Sequence, residues 1–298
     1  MKKLHLTRFA VMATVALMGS TAAWADTGVD LDDGGKTLIV RSDGSAAIEI
    51  ENASTYSAVQ KVRVDRGDMG TTQFSTIMLP VEVSVSGHDQ IDAAFTVGNI
   101  DLTKPIPELT MRAVTLLEAN NPYIIKFKDG MYGNTVKQIW FTPNSSGVQP
   151  TDGSSHTVQV DGSCFSMTGT YETKKWNNGS SLSNDYGFSA DGTDQGKFVR
   201  IQNNPNDDCV TIYPARAYLT CTKPQLVNGL GKVAEESLPD VINVRFVDKD
   251  GGTLSIGKMN TKTGDIQMQN RYYDLKGRKL NGKPQNKVMY VNKKVIKH

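Results

Sequence analysis

The sequence predicts an all-β fold: a β-sandwich-like body, a small C-terminal β module, and a cleaved N-terminal signal helix ahead of both. Three observations carry this reading. Short groups of β-branched and aromatic residues recur in alternation with polar ones, and Gly, Asn, Asp and Pro separate them at the spacing of sandwich strands. Outside the N-terminus no window holds an amphipathic helical pattern for more than three turns. At 298 residues the chain can bury one sizeable core or two smaller ones.

The first 25 residues read as a secretory signal peptide. Lys2, Lys3 and Arg8 precede an apolar run over residues 9–18, and Ala23 and Ala25 place small side chains where a signal peptidase cuts, just before Asp26. The run falls well short of the roughly 20 apolar residues that a membrane anchor needs. The expected divisions are therefore a signal peptide at 1–25, a sandwich-like body at 26–237, and a C-terminal β module at 238–298 that ends in a tail from residue 271.

The stretch FSTIMLPVEVSV at 74–85 demands a core. Its opening reads as a strand covered on both faces, and the Val/Glu alternation after it reads as a strand with one face in solvent. Pro80 cannot donate to a ladder and is expected at a bulge or a free edge. Before this stretch, residues 37–41 and 46–51 read as a hairpin around Ser42-Asp43-Gly44. Asp30, Asp32 and Asp33 form an acidic turn without the bidentate Glu and following helix of a calcium loop. Arg66-Gly67-Asp68 matches an adhesion tripeptide, but three residues are a very weak motif and the reading is a simple turn.

After it, strands are expected over 95–101, 109–117, 123–127, 136–141 and 156–160, with Pro122 disfavouring a helix through 115–127. Residues 241–247 and 253–256 read as a further strand pair.

The most functional-looking segment runs from Cys164 to Thr222. Tyr171, Trp176, Tyr186 and Phe188 surround a polar loop that includes Asn177 and Asn178. Aromatic faces among amides suit a sugar-binding surface, so Trp176, Tyr171, Tyr186, Asn177 and Asn178 are the candidate binding residues. The alternative is that the tyrosines and Phe188 pack on the sheet and Trp176 staples the loop to it. The sequence holds three cysteines, Cys164, Cys209 and Cys221. Cys209 and Cys221 flank an apparent hairpin and form the expected pair if a disulfide exists; three free thiols are the alternative.

No pattern calls for an enzyme, a metal or a cofactor. His88, His156 and His298 are scattered, and no HExxH, GxSxG or phosphate-binding loop occurs. Cys164 as a nucleophile would need a histidine brought to it. Glu82, Glu118 and Glu172 are the carboxylates a glycosidase reading would use, and alternation turns Glu82 and Glu118 outward. The net charge of +2 divides unevenly, with +3 in the signal peptide, +8 in residues 271–298 and −9 in between. An acidic body argues against nucleic acid as a partner.

Two resemblances add to this. Residues 272–278 (YYDLKGR), 288–291 (VMYV) and 293–296 (KKVI) resemble the C-terminal sorting module of proteins exported by the type IX secretion route of Gram-negative bacteria. The matching positions are Tyr273, Asp274, Leu275, Gly277, Arg278, Tyr290, Lys293, Lys294 and Val295. Lys287 and Val288 depart from it, standing where a glycine usually precedes the second strand. The body segments STIMLPVEV (75–83), TLLEANNPYIIKF (115–127), GTYETKKW (169–176), YGF (186–188), GKFVRI (196–201) and RAYLT (216–220) resemble an uncharacterised β-rich module of exported proteins from anaerobic gut and rumen bacteria. The resemblances imply a secreted or cell-surface protein that meets the export machinery through its tail. They also imply a polysaccharide or cell-surface component as partner, with no catalytic residue to carry over. The function expected is therefore non-catalytic, carbohydrate-binding or adhesive; a ligand-free structural role and a glycoside hydrolase are the alternatives.

Overall fold

A computed structural model describes residues 28–44, 46–66, 72–133, 137–152, 156–176, 182–190, 192–202, 210–221 and 238–248, together with short strands beyond. It is all-β and sandwich-like, with strands β1 (Val29–Asp32), β2 (Thr37–Ser42), β3 (Glu49–Ile50), β4 (Lys61–Arg66), β5 (Phe74–Met78), β6 (Val83–Ser84) and β7 (Ile91–Asp101). There follow β8 (Glu108–Val114), β9 (Leu116–Leu117), β10 (Pro122–Phe127), β11 (Gln138–Phe141), β12 (Thr151–Asp152), β13 (His156–Gln159) and β14 (Phe165–Thr170). The body ends with β15 (Lys174–Lys175), β16 (Leu182–Phe188), β17 (Phe198–Gln202), β18 (Thr211–Ile212), β19 (Arg216–Cys221) and β20 (Val241–Val247).

Two sheets dominate. The smaller has the order β1-β2-β4-β11; the larger runs β13-β14-β19-β16-β17-β20-β8-β7-β10-β5. The larger sheet curls until its last strand meets β19: Met78 N donates to Ala215 O at 3.1 Å, and Ala217 N donates to the Thr76 hydroxyl at 3.1 Å. Gly169 permits the approach, because a Cβ there would lie 2.4 Å from Met78 Sδ.

This geometry makes two cores that share a wall. Phe74, Phe95, Ile124, Phe165, Met167, Phe198 and Leu219 fill the inside of the curled sheet. Ile77, Ile91, Tyr123, Ile125 and Phe127 look out from the same wall, onto Leu38, Val40, Val62, Val64, Ile139 and Phe141 of the smaller sheet. Strands β5 and β10 are therefore buried on both faces, which is what the unbroken apolar run at 74–79 requires. Beyond Pro80, Val81, Val83 and Val85 are buried while Glu82 and Ser84 are exposed, the alternation of a strand half in solvent. Pro80 sits between β5 and β6, outside the ladders.

Two expectations are corrected. Strands β2 and β3 do not form a hairpin: β2 lies between β1 and, in parallel, β4, whereas β3 pairs with β12. Asp43-Gly44 does turn the chain, with Gly44 at φ +83°, but the turn carries it out of the sheet. The boundary near residue 237 is crossed by the sheet itself, since β20 joins the body between β17 and β8 and runs parallel to β8. Residues 253–256, its expected partner, lie outside the described residues.

Toward the C-terminus, β21 (Lys258–Met259) pairs with β22 (Ile266–Gln267), and β23 (Tyr272–Tyr273), β24 (Val288–Val291) and β25 (Lys294–Lys297) form a three-stranded antiparallel sheet. Tyr273 is in register with Tyr290 across β23 and β24, and Lys294 and Val295 lie in β25. Asp274, Leu275, Gly277, Arg278 and Lys293 lie outside the described residues, as does the signal segment.

Candidate functional site

The aromatics expected on a sugar-facing loop are inside the protein. Tyr171 and Tyr186 are fully buried and Trp176 is 5% exposed. Tyr171 belongs to the core under the smaller sheet and donates its hydroxyl to Asn120 Oδ1 at 2.8 Å. Tyr186 packs edge-on to Phe165, with ring centroids 5.7 Å apart. Burial raises the ionisation of both phenols above the ordinary range. Trp176 packs edge-on to Tyr218 at 5.6 Å and donates its indole N–H to Asp185 Oδ2 at 2.8 Å. Lys174 lies 5.0 Å from the Trp176 ring and 4.1 Å from that of Tyr218. The indole staples its loop to the outer face of the curled sheet, the alternative the sequence left open. Asn177 and Asn178 lie outside the described residues.

Cys221 is bonded to Cys164 and not to Cys209, which lies outside the described residues. Strands β14 and β19 are paired in register, Phe165 opposite Cys221, and this brings Cys164 within 5.0 Å of Cys221, Cα to Cα. The expected hairpin fails for the same reason, because β18 pairs with β15 while β19 pairs with β14 and β16. A thiol nucleophile at Cys164 is excluded by the bond. Arg66 is 3% exposed, which removes it from any adhesion tripeptide. Asp32 caps a short turn through the Asp33 N–H at 2.7 Å, and Asp30 pairs with Arg41 at 3.4 Å.

What the structure does expose is Trp140. In β11 the alternation Gln138, Ile139, Trp140, Phe141 sends Ile139 and Phe141 into the core and leaves Trp140 42% exposed. The same alternation in β4 buries Val62 and Val64 and turns Arg63 and Asp65 outward. Register then builds a row across the outer face of the smaller sheet, Asp30, Ile39, Arg63, Trp140, with Arg41, Asp65 and Gln138 as the row beside it. Sequence reading passed over Trp140, although its two buried neighbours were signal enough.

The face is ordered. Arg63 grips Asp65 through both carboxylate oxygens, Nε to Oδ1 at 2.7 Å and Nη2 to Oδ2 at 2.8 Å. That hydrogen bonding raises the Arg63 guanidinium still further above neutrality, so it is a permanent cation. Its guanidinium carbon lies 5.6 Å from the Trp140 ring centroid. The free edge of β11 is closed by Gln90, whose Oε1 accepts the Trp140 N–H at 2.7 Å and whose Nε2 donates to the Gln138 carbonyl at 3.1 Å. The result is a partly exposed indole with a guanidinium over its ring and a carboxylate and an amide in the neighbouring row.

A second feature is a cleft of about 420 Å³ lined by Glu49, Ile50, Glu51, Pro150, Thr151 and His156. His156 Nε2 is buried there without a hydrogen-bond partner. Glu82, Glu118 and Glu172 are elsewhere and exposed; Glu82 and Glu118 accept from Asn144 and Asn121 at 2.9 and 2.8 Å. Among the described residues no cluster of His, Cys, Asp and Glu has the arrangement of a metal site.

Comparison with known proteins found no matching family model, no matching curated protein and no matching solved structure.

Proposed function

We propose that this is an exported, non-catalytic cell-surface protein that binds carbohydrate through the Trp140 face. The observation that carries the reading is an exposed indole on the outer face of a sheet, bordered by Arg63, Asp65 and Gln138. A pyranose ring stacks its apolar C–H face on such an indole while its hydroxyls meet charged and amide groups at the rim. The Cys164–Cys221 bond supports export, since disulfides persist in oxidising compartments. The basic tail at 271–298 supplies the sorting element, its partner being the export machinery.

A pull-down on insoluble polysaccharides tests the binding. Wild type is retained and Trp140→Ala passes through; passage of wild type across a broad glycan panel overturns the reading. The same preparations release no reducing sugar. Release that Glu49→Gln or Glu51→Gln removes would replace binding by hydrolysis at the 420 Å³ cleft. Cell fractionation tests the address: deleting residues 271–298 leaves the protein periplasmic, and unchanged surface exposure would remove the tail from the proposal.

A further inference from the structure

Two arginines stand apart from the Trp140 face, each with a buried guanidinium Nε and, among the described residues, no counterion. Arg66 ends β4 with its side chain on the inner side, beside Val62 and Val64, and is 3% exposed. Its guanidinium donates to the Ser75 hydroxyl and, at 2.8 Å, to the Thr76 carbonyl; its Nε is buried with no acceptor. Arg216 opens β19 between Ala215 and Ala217, the two residues whose backbones bond to Met78 and Thr76. Both arginines therefore converge on the same stretch of β5. Arg216 Nε is also buried without an acceptor. Unlike Arg66, Arg216 keeps partial exposure, and its guanidinium carbon lies 5.7 Å from the ring of Tyr213, itself at the surface.

Among the described residues no carboxylate lies within ion-pair distance of either guanidinium. Burial lowers the proton affinity of both, and the charge of Arg216 lowers that of Arg66 further. An uncompensated buried cation is among the most unfavourable elements a fold can carry, and two in proximity are worse. A guanidinium meets this cost best by presenting its nitrogens to a planar or tetrahedral oxyanion.

We infer that Arg66 and Arg216 together bind one small dianionic oxyanion, a sulfate or phosphate group, which enters past Arg216 and Tyr213. A dianion neutralises both guanidinium charges at once, whereas a single carboxylate leaves one unpaired. The Nη nitrogens of Arg216 are the donors left for it at the partly exposed end, and Arg66, whose Nε is enclosed behind them, contributes its charge.

The test is thermal unfolding of the full mature chain in sodium sulfate, sodium phosphate, sodium acetate or a monosaccharide phosphate ester, which is also close to a dianion at neutral pH, each against sodium chloride at matched ionic strength. Wild type shows a saturable rise in midpoint of about 5 °C with sulfate or phosphate and none with acetate. Saturation by the ester as well assigns the site to an esterified ligand; saturation by the inorganic ions alone assigns it to a free anion. In Arg216→Gln the saturable rise disappears, and the midpoint without oxyanion equals or exceeds that of wild type because the repulsion has gone. Arg216→Lys keeps the charge but loses the fork, and it shifts saturation to about tenfold higher concentration. Equal responses to sulfate and chloride in wild type overturn the inference. So does an undiminished sulfate response in Arg216→Gln.

Discussion

Gln90 takes the place of a missing strand beside Trp140. Its side-chain amide makes the two hydrogen bonds that a neighbouring backbone would make, to the Trp140 N–H at 2.7 Å and the Gln138 carbonyl at 3.1 Å. An open strand edge invites pairing with other chains, and a single side chain closes this one. Gln90→Ala should cost about 1–2 kcal/mol in urea unfolding, the range for two partly exposed hydrogen bonds. It should also weaken glycan retention, because the indole loses its backbone anchor. Retention at wild-type strength would show that Trp140 holds its pose without Gln90.

The two tryptophans of the body should respond in opposite ways. Trp176→Ala removes a buried ring with its Asp185 hydrogen bond and should destabilise the protein by about 3–5 kcal/mol. Trp140→Ala removes an exposed ring and should cost about 1 kcal/mol or less while abolishing binding. Denaturation and pull-down measured on the same two variants separate these roles. Binding lost in a folded Trp176→Ala protein, and kept in Trp140→Ala, would return the site to the loop.

Peptide mapping without reduction should recover Cys164 joined to Cys221. Cys209→Ser should leave that linkage intact. The bridge closes a separation of 57 residues, for which the chain-entropy model gives about 4 kcal/mol of stabilisation. Cys164→Ser should lose stability on that scale by denaturant titration. A mapped bond between Cys209 and Cys221 would contradict the pairing of β14 with β19.

Acid should weaken the fold through His88. Burial lowers its ring below the ordinary histidine range, and Nδ1 accepts the Gln90 and Ile91 N–H groups at 3.1 Å each, which requires that nitrogen to be unprotonated. The smaller effects of Asp89, which raises its proton affinity, and Lys128, which lowers it, oppose each other. The unfolded chain therefore takes up a proton before the folded one does. The contribution is complete above about pH 6.5 and is lost as the pH falls from there through the lower folded-state value. His88→Gln should flatten the slope of stability against pH below about pH 6.5. An unchanged slope would place the acid sensitivity elsewhere.

Local pattern made much of this architecture legible. Covered faces at 74–79, the half-solvated alternation at 81–85 and the exclusion of Pro80 from the ladder all follow from side-chain period and from a missing N–H. The position of Trp140 was legible too, since Ile139 and Phe141 on either side of it must point inward. Trp176 was not, because nothing within its loop says that Tyr218 and Asp185 wait on the sheet to receive it.

By itself the sequence determined the strand period, the turns and the division of charge between body and tail, all of which depend on neighbours a few residues apart. Only the tertiary structure decided which strands meet: β2 beside β4, β20 beside β8, Cys164 beside Cys221, Arg66 close to Arg216. The physical reason is that alternation specifies which face of a strand is apolar but not which edge it presents to which partner. That choice is settled when two cores close on opposite faces of the wall formed by β5, β10 and β7.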